Sequence, residues 1–232
     1  MAVDEAIAEQ VRKNKVSPTI RFYKWAPSAV SIGYFQSLQD EVNLAKCKEL
    51  GIDYVRRRTG GGAVYHDNKG EITYSVIAPE RLFPKGIRES YRVICQWIID
   101  GLGLLGIGAE FMPINDLVVH GKKISGNAQT RRDGVLTQHG TILYDLDVRT
   151  MFSVLKVSNE KISDKMIKSV EERVTRVLNY KSVSQDDLYN ALLEGFTRGK
   201  EFSFDSLTRS EDIDARRLAK EVYRSEAWNA MR

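Results

Sequence analysis

Arg56-Arg57-Arg58-Thr59-Gly60-Gly61-Gly62-Ala63-Val64-Tyr65-His66-Asp67 sets three consecutive glycines behind three arginines, and what flanks this stretch decides the fold. Glycine has no Cβ and adopts positive φ freely, so a run of it lets successive N–H groups converge into a concavity for anionic oxygens. The arginines add permanent planar donors. A hairpin could use the same glycines with no ligand, so the flanks carry the argument. Upstream, Asp40 to Leu50 has the pattern of a short helix closed by Gly51, and Ile52 to Arg56 that of a strand leading into the loop. Downstream, Glu71 to Ala78 alternates as a strand. A glycine-rich loop between two strands differs from the strand-loop-helix order of a Walker or dinucleotide site.

Working outward, Val3, Ile7 and Val11 predict an opening helix, followed by strands over Pro18 to Trp25 and Ala29 to Tyr34. A long helix is predicted from Ile87 to Leu105, with Tyr91, Ile94, Cys95, Ile98 and Ile99 on one face. Its end spells GxGxxG at Gly101 to Gly106, but the glycines follow a helix, so they read as a helix end and turn. Asn115 to Ala128 reads as a hairpin turning at His120-Gly121, and Asp133-Gly134 turns the chain into a strand over Val135 to Tyr144. Beyond Thr150 the pattern is helical. Ser184 and Asp187 form a capping box before a helix stopped by Gly199, a strand is expected over Glu201 to Leu207, and Thr208 with Glu211 caps a last helix from Arg209 to Arg224. The predicted class is α+β, a mostly antiparallel mixed sheet flanked by helices, in one domain over residues 1–232.

The 232 residues, 42% of them hydrophobic, suffice for one substantial core. No window reaches the roughly 18 apolar residues of a membrane span, and no basic-then-apolar leader opens the chain, so a cytoplasmic protein with no membrane partner is expected. A net charge of +4, from 35 basic against 31 acidic residues, fits an anionic ligand. The arginine clusters at 56–58 and 131–132 form no continuous basic face, so no nucleic-acid partner is expected. Cys47 and Cys95 stand outside any CxxC spacing and read as packed thiols, and three scattered histidines give no zinc pattern.

The loop at Arg56 to Asp67, the hairpin Asn115-Asp116-Leu117-Val118-Val119 returning through Lys123-Ile124-Ser125-Gly126, and Gln138-His139-Gly140-Thr141-Ile142-Leu143 together resemble the lipoate protein ligases, relatives of the biotin protein ligases. Ala2-Val3-Asp4-Glu5-Ala6-Ile7 resembles the family's first helix and Trp228-Asn229 the close of its catalytic domain, so the likeness spans nearly the whole chain. It implies that family's catalytic fold without the C-terminal accessory domain many members carry, and hence a separate accessory subunit. It also implies an ATP-dependent ligase: lipoate and ATP, with Mg2+, give lipoyl-AMP, and the lipoyl group passes to a lysine of the lipoyl domains of 2-oxoacid dehydrogenase complexes or of the glycine cleavage H protein. No tightly bound cofactor is implied.

On this resemblance Lys123 is the catalytic residue, touching the lipoate carboxylate and the α-phosphate together, which suits a compact cation facing two mutually repelling anions. Strand alternation puts Lys122 and Lys123 on opposite faces, so one of them points at the site, and the family pattern selects Lys123. Arg57 matches an arginine that contacts the nucleotide, Gly61, Gly62, Ala63, Val64 and Tyr65 match the stretch that wraps it, and Thr59 offers a hydroxyl to phosphate. Val64 and Tyr65 are equally ordinary as packing residues. Asn115 and Asp116 either bind adenine or ribose, with Asp116 a candidate for Mg2+, or cap a turn. For the transfer step, His139, Asp116 and the adenylate phosphate are candidate proton acceptors. The rival reading is an ATP-independent lipoyl or octanoyl transferase of the same fold, which carries the acyl group on a cysteine just before the Asp116 hairpin. That stretch is Glu110-Phe111-Met112-Pro113-Ile114-Asn115, with no thiol.

Overall fold

The computed structural model describes residues 1–156 and 164–232, with the side chains of residues 164–167 and 171 excepted. In chain order the elements are α1 (Ala2–Arg12), β1 (Thr19–Tyr23), β2 (Ala29–Ile32), α2 (Leu38–Glu41), α3 (Leu44–Leu50), β3 (Asp53–Arg56), β4 (Val64–His66), β5 (Glu71–Pro79), α4 (Ile87–Leu104), β6 (Glu110–Met112), β7 (Asp116–Val119), β8 (Lys122–Arg132), β9 (Val135–Leu143), α5 (Val148–Val154), α6 (Asp164–Arg173), α7 (Gln185–Thr197), α8 (Arg209–Leu218) and α9 (Glu226–Asn229). Six strands form a fully antiparallel sheet in the order β1-β5-β9-β8-β7-β6. A second sheet, β3-β2-β4, pairs β2 with β3 in parallel and with β4 in antiparallel fashion. The α+β class with a mainly antiparallel sheet is therefore the one the sequence patterns indicate.

Register assigns the two faces of the large sheet, because directly paired residues project to the same side. Ile72, Tyr74, Val76, Leu136, Ile142, Leu117 and Val119 pack with Ile94, Ile98 and Leu102 of α4 and Leu188, Leu192 and Phe196 of α7 into the main core. Gly101 and Gly195 let those helices touch, since a Cβ at 195 would meet the Trp97 carbonyl oxygen at 2.3 Å. The opposite face carries Glu71, Thr73, Ser75, Thr137, His139 and Thr141, a polar row facing the small sheet and the glycine loop. Helix α1 covers its far end, with Ile7 and Val11 against Ile77 and Val135.

Three local expectations are corrected. Asp40 to Leu50 is two helices, because Val42 is drawn out to an extended conformation, buried in the second core and bridged to Leu155, while Asn43 starts the next helix by accepting from the Lys46 amide at 3.2 Å. Glu201 to Leu207 is not a strand; it pairs with no strand among the described residues, and Phe202 and Phe204 are exposed. The last helix stops being regular α at Leu218 and widens into a π turn through Tyr223. The capping boxes at Ser184 and Thr208 form as read. Residues 157–163 of the helical stretch beyond Thr150 lie outside the described residues.

Candidate active site

The three arginines point into the protein instead of forming a cationic rim. Arg56 is fully buried, and its guanidinium donates to the carbonyls of Gly33, Tyr34, Gln36, Trp228 and Asn229, tying the loop entrance to the C-terminal segment. Arg57 donates to the Ser31 carbonyl at 3.1 Å and the Gly60 and Gly62 carbonyls at 2.9 and 2.7 Å, and burial lowers its pKa to about 10. Arg58 forms a two-pronged pair with Glu5 and lies 4.3 Å over the Trp228 ring. The sequence shows planar donors beside glycines; only the fold shows that their acceptors are backbone carbonyls, the Ser31 hydroxyl and the Glu5 carboxylate.

What the arginines leave open is the loop itself. Gly61 sits at φ 95°, and a Cβ on Gly33 would lie 2.0 Å from the Gly61 carbonyl, so the loop backbone rests directly on that of β2's end. Among the described residues, the N–H groups of Gly60, Gly61, Gly62 and Ala63 have no acceptor in the protein. Unpaired amides on a glycine loop are a ready receptor for an oxyanion or carbonyl oxygen. Thr59, a candidate hydroxyl donor to phosphate, is buried and bonded to His139 Nε2 at 2.7 Å. Tyr65 is buried in the second core, while Val64 is half-buried and pairs in the strand with Ser31.

Lys123 reaches this face through a β-bulge. Asp116 pairs with Gly126 and Leu117 with Ser125, but Val118 pairs with Lys123, leaving Ile124 as an extra residue. Strict alternation from Gly126 would turn Lys123 to the helix side; the extra residue returns it to the side of Asp116, Gly126 and His139, a common use of a bulge beside a functional site. Its ammonium pairs with Asp116 at 2.7 Å and its chain lies flat over Gly126, where a Cβ would stand 2.8 Å from Cε and 2.9 Å from Nζ. Asp116 is thereby engaged by the ammonium, and among the described residues no group of three metal-binding side chains is present. Asn115 is held by reciprocal amide bonds with Asn127, which is a hairpin clasp. From Gly126 to Ala128, the residue paired with His139, is about 7 Å along the strand.

Past His139 opens a cavity of about 760 Å3, lined beside Thr59, Gly60 and His139 by apolar side chains such as Phe35 and Val135 and by charged ones such as Asp4, Glu9, Arg12, Arg132 and Arg217. Its size is that of a small-molecule site. Lys123 stands outside this lining. Burial drives the His139 pKa down to about 3, partly offset by Asp4, so the imidazole is neutral and a poor proton acceptor. Both cysteines are buried; burial raises the Cys47 thiol and pushes Cys95 up to about 12. No helix among the described residues is long and apolar enough to cross a membrane.

A family model described as the lipoyl protein ligase A/B catalytic domain matches residues 1–197. The chain belongs to this family. It is an enzyme of the ligase and transferase group that the family comprises. The octanoyltransferase LipM of Geobacillus kaustophilus is 37% identical over 100% of this chain and 93% of its own length, and that of Staphylococcus aureus 36% identical over 98% and 92%. Among solved structures, the bi-partite lipoate protein ligase of Thermoplasma acidophilum, studied with its E2 lipoyl domain, superposes with TM-score 0.88 at 36% identity, covering 99% of this chain and 89% of its own. A lipoate-protein ligase A bound with ATP superposes at 0.83, with 33% identity over 99% of this chain and 92% of its own. The fold is thus that of lipoate ligase catalytic domains. The reaction is where the expectation changes: curated relatives at 34–37% identity over nearly the whole chain are octanoyltransferases, which overturns the reading as an ATP-dependent ligase and favours the acyl transferase of the same fold.

Proposed function

We propose that this chain transfers an octanoyl group from a carrier-protein thioester to a lysine amine on a lipoyl domain, without ATP. The full-length similarity to octanoyltransferases carries the reading, and the acceptor class follows from the lipoyl domain studied with the Thermoplasma relative. In this reading the acyl chain enters the cavity beside Gly60 and His139, whose lining mixes apolar with charged side chains, and the thioester carbonyl is taken to face the open glycine amides and Lys123, which stands outside that lining. Asp116 orients Lys123, and Gly61, Gly62 and Ala63 supply backbone donors for the oxygen that gains charge.

With both thiols buried and protonated, and none at 110–115, the transfer is direct. The acceptor amine attacks the thioester carbonyl, a C–N bond forms, the C–S bond breaks, and the amine proton goes to the departing carrier thiolate. No cysteine-bound intermediate forms, and neutral His139 is not needed as base. An accessory subunit, expected for an activation step, has no step to serve here.

The test combines octanoyl carrier protein, a lipoyl domain and the purified chain without ATP, with the acceptor lysine read by mass spectrometry. Acylation that persists in Cys95→Ala supports the proposal. Acylation seen only with free acid plus ATP refutes it.

A further inference from the structure

Behind the glycine loop runs a chain of buried polar groups that the transfer step does not use. Glu71 Oε1 accepts from His66 Nδ1 at 2.7 Å and from the Thr73 hydroxyl at 2.8 Å. His66 Nε2 meets Ser31 Oγ at 2.8 Å, and Ser31 Oγ in turn accepts from Arg57 Nη1 at 3.2 Å. Arg57 Nη2 then holds the carbonyls of Gly60 and Gly62. Trp25 stacks on the imidazole at 4.2 Å and fixes its plane. Ser31, His66 and Glu71 have the order of a nucleophile, base and carboxylate, but Ser31 is 1% exposed and its oxygen faces a guanidinium, so no acyl group reaches it.

The arrangement has an electrostatic reason. Among the described residues no carboxylate touches Arg57, and a desolvated cation needs compensation. The carboxylate at the other end of the hydrogen-bonded chain is that of Glu71, which is itself 1% exposed. Each link is fixed by the next, and the last link is the loop whose amides stand open.

We propose that Glu71, His66 and Ser31 are positioning residues for acyl transfer, holding Arg57 so that it clamps Gly60 and Gly62 and keeps the loop N–H groups turned outward. This rests on the site being the acyl-transfer site proposed above. It is tested with Ser31→Ala, which removes one hydroxyl, and His66→Phe, which keeps an aromatic ring for Trp25 but breaks both links. Three quantities are read: backbone NMR order parameters over residues 60–63 relative to α4, kcat and KM for octanoyl transfer, and thermal stability. The expected result is lower loop order parameters with α4 unchanged, and kcat lowered about 10- to 100-fold at unchanged KM for the lipoyl domain. Should His66→Phe fail to fold, Ser31→Ala decides alone. Unchanged loop order overturns the proposal, and so does a loosened loop with normal kcat or a loss confined to the lipoyl-domain KM. If the wild type transfers nothing, the functional reading fails while the loop order parameters still report whether the relay exists.

Discussion

Gly126→Ala separates placement of Lys123 from presence of Lys123. The new methyl would lie 2.8 Å from Lys123 Cε and 2.9 Å from Nζ, against 3.8 Å from Asp116 Oδ1. Contact between carbons is comfortable only near 3.5–4.0 Å, so the ammonium must lift by about 1 Å. The atoms met belong to the mobile end of a half-exposed side chain, and residue 126 has no positive φ, so the backbone is not strained. Folding stability should change by no more than about 0.5 kcal/mol, and alanine's lower chain entropy in a strand acts in its favour. Turnover is another matter, since displacing a charge-stabilising group by about 1 Å costs on the order of 100-fold. Transfer kinetics and urea denaturation on the same preparation give both numbers. Wild-type kcat/KM in a normally folded Gly126→Ala would refute the claim that Lys123 acts from its position over this glycine.

Other outcomes follow from the same geometry. Lys123→Ala should reduce kcat by about 100- to 1,000-fold with stability nearly unchanged, as read by steady-state transfer and thermal melts. Arg56→Ala leaves five carbonyls without their buried donor and should cost about 3–5 kcal/mol in chemical denaturation, far more than Arg58→Ala at the half-exposed pair with Glu5. Gly61→Ala places a methyl at φ 95° and 3.0 Å from Arg57 Nη2, so transfer should fall with a strain of about 1–3 kcal/mol visible in the melt. His139, held neutral by burial at a pKa near 3, lets the unfolded chain bind the extra proton below its ordinary pKa of 6.5. Its contribution is complete above pH 6.5 and is lost as pH falls toward 3, at up to about 1.4 kcal/mol per pH unit, and His139→Gln should flatten that part of the stability profile.

Features governed by near neighbours in the chain were legible from residues alone. Gly51 closing a helix, the Asp133-Gly134 turn and the capping boxes at Ser184 and Thr208 each depend on contacts within a few residues, and all four form. The glycine loop lies between strands, and the GxGxxG at Gly101 ends a helix, for the same reason. Where a residue's partner is distant, the reading went astray. Asp40 to Leu50 breaks at Val42 because Leu155, from another part of the chain, draws it out, and Glu201 to Leu207 alternates but pairs with no strand among the described residues.

The sequence by itself determined the class, the family and the elements that carry the site, because period, turn chemistry and motif are local properties of the chain. Only the tertiary structure decided which way the cations face. Arg56, Arg57 and Arg58 turn inward because their acceptors at residues 33–36, 31, 60–62, 228–229 and 5 converge on them in space. Lys123 turns toward the site because a single unpaired residue at Ile124 reverses the alternation that counting along the strand would give it. A hydrogen bond and a strand register are relations between two segments, and neither segment encodes them alone.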